Sequence, residues 1–146
     1  MEKIRSEEKE LLISGGAGAL CYQVGYIQYL IELVGKEKLK EYKLGGISAG
    51  AACAGLLHSV IHSDQNVSTI YLEKARKFYE KDNMFFGGFL TSGQLIYDLS
   101  KEWYLENEEM KMPSFSGNVH CYVSCFDKYR FKPMLVEYYD DAHDFA

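Results

Sequence analysis

The segment Gly46-Ile47-Ser48-Ala49-Gly50 sets a serine midway between two glycines, in the spacing G-x-S-x-G. A serine hydroxyl attacks an acyl carbonyl only where the backbone presents its Oγ clear of the chain. A strand, a one-residue turn and a helix do this, and the turn is so sharp that side chains at the two glycine positions would collide with the crossing backbone. The flanks fit. Leu44 to Ile47 forms a short apolar strand, and the small-residue run from Ala49 to Leu57 continues as a helix to about His62. The helix N-terminus then directs N–H groups at the point where an oxyanion would develop. Ser48 is the candidate nucleophile, and Gly46, Ile47, Ala49 and Gly50 form its elbow.

A second glycine cluster lies upstream. Leu11 to Ser14 is an apolar run that leads into Gly15-Gly16-Ala17-Gly18, as a buried strand entering a tight turn would. Such a loop also suits a dinucleotide phosphate on a helix N-terminus, but the full glycine fingerprint is missing. No Gly-Lys-Ser/Thr follows to make a P-loop. No cofactor is expected.

Leu12-Ile13-Ser14-Gly15-Gly16-Ala17-Gly18, then Tyr22-Gln23-Val24-Gly25, all upstream of Gly46-Ile47-Ser48-Ala49-Gly50, resembles the front of the patatin-like phospholipase family. The resemblance implies a three-layer α/β fold with a mainly parallel central sheet between helices. It also implies hydrolysis of a lipid acyl ester in lipid metabolism, with Ser48 as nucleophile. The loop N–H groups of Gly15, Gly16, Ala17 and Gly18 would form the oxyanion hole. Counted back from Gly25, Ala17 and Leu20 stand where the family has glycine; shifted by one residue, Cys21 does.

Serine needs a base to take its proton. The family supplies an aspartate in a later D-G-G or D-G-A motif, and this sequence contains no Asp-Gly dipeptide. The resemblance therefore implies a partial domain over 1–146, cut short on its C-terminal side. The alternative to an enzyme is an inactive lipid-binding or partner-binding fragment. Asp127, or Asp140 with His143, are minor substitutes for the base, and Asp140, Asp141 and Asp144 read most simply as a solvated acidic cluster. His58 and His62 share a helix face at zinc-ligand spacing, but no third ligand is indicated. No metal is expected, and His120 reads as structural.

These groups must be positioned by the surrounding elements. Leu20, Val24, Ile27, Ile31 and Val34 recur at spacings of three and four, so a helix spans them and stops at Gly35. The charged segment Lys36 to Tyr42 connects it to the elbow strand. Ser63-Asp64 can cap a helix carrying Val67, Ile70, Tyr71 and Phe78 and ending near Asp82-Asn83. Met84 to Gly93 reads as an apolar loop, with Met84 to Leu90 as a possible lipid contact. Gln94 to Met110 is a further helix. Val119 to Phe126 alternates as a strand, turns at Asp127 to Arg130, and pairs with Phe131 to Tyr139, where Pro133 favours an edge position.

The 146 residues, with 47% hydrophobic and 25% charged side chains, suit one globular domain. A net charge of −5 without a basic run argues against nucleic acid. The Glu- and Lys-rich first ten residues do not resemble a targeting leader, and no apolar run reaches the ~20 residues of a membrane span. A cytoplasmic location is expected, with any contact to a membrane or lipid-droplet surface peripheral. Cys21, Cys53, Cys121 and Cys125 lack paired spacing and read as reduced packing residues.

Overall fold

The computed structural model describes residues 9–16, 20–64, 66, 67, 69, 73, 115–127 and 129–140, with side chains at all of these except 20, 21 and 125–127. The expected helix over 94–110, the loop over 84–93 and most of the helix beginning at Ser63 lie outside them. So do Ala17, Gly18, Asp141, His143 and Asp144.

The described elements are β1 (Lys9–Ile13), α1 (Leu20–Val34), α2 (Lys36–Leu39), β2 (Tyr42–Ile47), α3 (Ala49–Ile61), β3 (Val119–Asp127) and β4 (Arg130–Val136). They build an open α/β sheet in the order β1-β2-β3-β4, with β1, β2 and β3 parallel and β4 antiparallel to β3. The hairpin forms as expected, although its second strand runs Arg130–Val136 and stops three residues short of Tyr139, and Pro133 does fall on a strand at the end of the described sheet, opposite Ser124. A proline there removes no bond from a central ladder.

α3 packs across β1, β2 and β3, and α1 packs on α3. Ile27, Leu44, Leu57 and Val119 have no exposed surface at the centre of this stack, and Cys53, Ala54, Val60 and Ile61 fill the space around them. α3 is buried from Cys53 to Ile61, as a helix between a sheet and a second helix must be. Its first four residues are Ala and Gly, which lets its backbone approach the strand ends closely.

Gly35 stops α1 as expected. Its φ of 85° is open to glycine, and its N–H donates to the Ile31 carbonyl at 2.9 Å. Two expectations need correction. The segment after Gly35 is not a plain connector: Lys36–Leu39 makes one helical turn because Leu39 buries itself in the core, with Lys38–Glu41 and Lys40–Glu37 pairs outside. Nor is β1 a buried strand. It starts at Lys9, two residues earlier than the apolar run, and only Ile13 is buried, because β1 stands at the end of the described sheet. No helix among the described residues is long and apolar enough to cross a membrane.

Candidate active site

β1 and β2 run parallel, with Ile13 opposite Gly46, so their carboxyl ends open on the same side. β2 ends at Ile47 and α3 begins at Ala49, which leaves Ser48 alone to reverse the chain. Ser48 has φ 54° and ψ −127°, and it is the sole positive-φ residue other than glycine among the described residues. A β-carbon makes that conformation costly, by about 1–3 kcal/mol, so it persists only where the surroundings impose it.

The surroundings are glycines. A β-carbon on Gly46 would land on the carbonyl of Gly50 and 2.5 Å from the Ala51 nitrogen. One on Gly50 would strike the Ile13 carbonyl and lie 2.6 Å from the Ser14 oxygen. Both glycines of G-x-S-x-G are therefore steric necessities. Gly46 lets β2 and the first turn of α3 fold back on each other, and Gly50 lets α3 touch the end of β1.

Serine at a helix N-cap ordinarily turns its hydroxyl inward to accept from an N–H of the first turn. Ser48 makes no such capping bond, and its side chain is exposed. Its carbonyl accepts instead from the Ala51 N–H at 2.9 Å. The backbone reversal has taken the hydroxyl out of its usual capping role and presented it to solvent.

The upstream loop arrives at this point. A β-carbon on Gly15 would sit 3.4 Å from Ser48 Cβ and 3.2 Å from the Ile47 carbonyl, so Gly15 lies against the serine. Gln23, one turn into α1, donates from Nε2 to the Ser14 carbonyl at 2.6 Å, and its Oε1 lies 3.7 Å from Cys53 Sγ on α3. Gln23 thus ties together the exit of β1, α1 and α3. Nothing local to Gln23 marks it out beyond its place in Tyr22-Gln23-Val24-Gly25. Gly16 is described and half-buried.

No hydrogen bond joins Ser48 Oγ to a carboxylate or an imidazole among the described residues. A cluster of that chemistry lies further down the sheet. His120, buried on β3, faces Glu10 Oε1 with Nδ1 at 3.1 Å and Glu137 Oε1 with Nε2 at 3.4 Å. Glu10 reaches it across β2 at Gly45, where a β-carbon would lie 3.1 Å from Glu10 Oε1. Gly117 N–H holds the Glu137 carbonyl at 2.7 Å and so helps to seat the second carboxylate. His120 pairs with Gly45, three residues short of Ser48, and at strand rise this is ~10 Å, beyond hydrogen-bond reach. His120 is a cross-brace between strands, not the serine's base.

Removing that brace leaves the Glu10 and Glu137 carboxylates without the imidazole between them. Because Glu10 and Glu137 are each about one-third exposed, solvent recovers part of the loss. His120→Ala is expected to cost about 1–3 kcal/mol in urea unfolding. An unchanged midpoint would show that the brace carries no stability.

The other candidate groups are packing residues. His58 is buried against Phe115, with ring centroids 5.0 Å apart, and against His62 at 4.6 Å. Burial, helped by Lys40, holds the His62 imidazole below its ordinary range. Among the described residues no group of three His, Cys, Asp or Glu is arranged to hold a metal ion. Asp140 is exposed, on the segment that follows β4.

Cys53 and Cys121 are free thiols, and burial raises both. Cys53 is pushed from 9.0 up to about 11, which makes it a poor nucleophile at neutral pH. A raised folded-state value means that the preference for the neutral thiol is fully present below pH 9 and is lost as pH rises through 11. The urea midpoint should therefore fall across that window, and Cys53→Ala should flatten the fall. Parallel curves for the two proteins would refute this assignment.

The chain matches no protein-family model, no curated protein and no solved structure. Its chemistry rests on the residues themselves.

Proposed function

We propose that this chain carries the nucleophile of a patatin-like serine acyl hydrolase acting on lipid acyl esters, with Ser48 as the attacking residue. The observation that carries the reading is the backbone of Ser48: a positive φ at a strand-to-helix turn, with the hydroxyl exposed and not used as a cap. That arrangement stores strain at a residue whose hydroxyl the helix cap does not use, and strain of this kind collects where a side chain must be presented to a ligand.

In this reading Ser48 Oγ bonds to the acyl carbonyl carbon as its proton passes to a base. The oxyanion is met by N–H groups of the loop from Gly15 through Gly16 and Ala17 to Gly18, and by the N-terminus of α3. The intermediate collapses to an acyl-serine as the protonated alcohol leaves, and water then releases the carboxylic acid. The resemblance assigns the base to an aspartate in an Asp-Gly motif that these 146 residues do not contain. The proximity of Gly15 to Ser48 supports the placing of the oxyanion loop.

A second reading is favoured by the lack of any base bonded to Ser48 Oγ among the described residues: the elbow is retained while the chain binds lipid or a partner without turning over esters. A fluorophosphonate probe separates the two, because it phosphonylates only an activated serine. Labelling that mass spectrometry assigns to Ser48, with hydrolysis of a short-chain p-nitrophenyl ester, establishes the hydrolase. No labelling and no hydrolysis in protein free of contaminating lipase removes the hydrolase reading.

A further inference from the structure

α1 has a second face that the core formed by the described residues does not use. Tyr22, Tyr26, Tyr29 and Leu33 are 78%, 48%, 59% and 67% exposed. At 100° per residue they fall within an arc of about 60°, in a stripe about 16 Å long. Across the fifteen residues of α1 the only charge is Glu32, and there is no Lys or Arg. A surface helix of this kind ordinarily turns charged residues to water. This one turns out three tyrosines.

We infer that this stripe is a docking face for an electrically neutral lipid surface. Taking about 200 Å² for a whole tyrosine, the exposed parts of the stripe offer on the order of 500 Å². A stable dimer needs about 800 Å² from each partner, so a second copy of the chain is poorly served by it. A lipid surface demands no such matched area. Tyrosine suits the boundary between headgroups and acyl chains, because the ring is apolar and the hydroxyl stays wet.

Charge selects the kind of lipid. With a net charge of −5 and no basic residue on α1, the protein gains nothing from anionic headgroups. The stripe also has a direction. Its first member, Tyr22, adjoins Gln23, whose amide holds the Ser14 carbonyl next to the loop beside Ser48. A lipid surface lying along α1 therefore extends to the end of the helix that Gln23 ties to Ser14. The identity of that lipid as substrate rests on the function proposed above; the docking itself does not.

The test is co-sedimentation of the full 146-residue chain with large unilamellar phosphatidylcholine vesicles. The variant Tyr26→Ser/Tyr29→Ser/Leu33→Ser leaves Tyr22 and the loop untouched. It is expected to lower the partition coefficient at least tenfold, with fluorophosphonate labelling of Ser48 unchanged. Tyr29→Ser alone, the gentler change, should lower it about threefold and serves if the triple variant does not fold. The inference is overturned if the wild-type chain does not bind, binds only when phosphatidylglycerol is added, or binds as tightly after substitution. It is also overturned if sedimentation equilibrium shows a wild-type dimer that the substitutions dissociate. Vesicle binding by a chain whose Ser48 does not label would leave the docking face standing and remove the hydrolase reading.

Discussion

Ser48→Ala is expected to abolish fluorophosphonate labelling and to lower ester hydrolysis by on the order of 10⁴-fold or more, to the level of a protein that merely binds the substrate. The loss should fall on turnover, because alanine keeps the elbow and leaves the loop near Gly15 in place. Ser48→Gly gives the same loss of chemistry with an opposite signature in stability. At φ 54° a β-carbon is costly, so its removal should raise unfolding free energy by about 1 kcal/mol. An inactive yet stabilised Ser48→Gly protein would mark the serine as kept for chemistry at the expense of the fold. If Ser48→Gly instead destabilises the protein and Ser48→Ala still labels, the nucleophile is elsewhere.

The other large effect concerns Gly50. An alanine there would drive its β-carbon into the carbonyl of Ile13 and toward that of Ser14. Both obstacles are backbone, so no side-chain rotation relieves the clash, and α3 must move away from β1. Gly50→Ala is expected to cost at least about 3 kcal/mol, a fall of roughly 10 °C in thermal midpoint for a chain of this size. Gly25→Ala is the control. Gly25 lies inside α1, exposed, and a β-carbon there meets nothing within 4 Å. That substitution should stabilise the protein by about 0.5–1 kcal/mol. Equal effects at the two positions would mean that the close approach of α3 to β1 is not what Gly50 is for.

The elbow was legible because it is local. Five consecutive residues specify the turn, and the flanking strand and helix are visible in their apolar and small-residue patterns. The obstacle that makes Gly50 indispensable was not legible, since it is a carbonyl on another strand. The same applies to the brace at His120, whose partner Glu10 lies 110 residues away along the chain. Glu10 is one of several charges in the Glu- and Lys-rich first ten residues, and only the pairing of β1 with β2 shows that it reaches across Gly45. α2 was hidden because three of its four residues are Lys or Glu and one leucine carries its burial. Of the upstream loop, Gly15 lies beside the serine, while Ala17 and Gly18 fall outside the described residues.

The sheet's strand order has a consequence for the order of assembly. β1, α1, α2, β2 and α3 are consecutive along the chain and contain every described contact that bends it at Ser48. β3 pairs with β2 only after a segment of roughly 70 residues has been closed into a loop, and long closures are slow to find. The turn at Ser48 is thus expected to form with the early, contiguous half of the sheet, ahead of the hairpin. In pulsed hydrogen exchange during refolding, amides of α3 should gain protection before those of β3. The reverse order would mean that the hairpin templates the elbow.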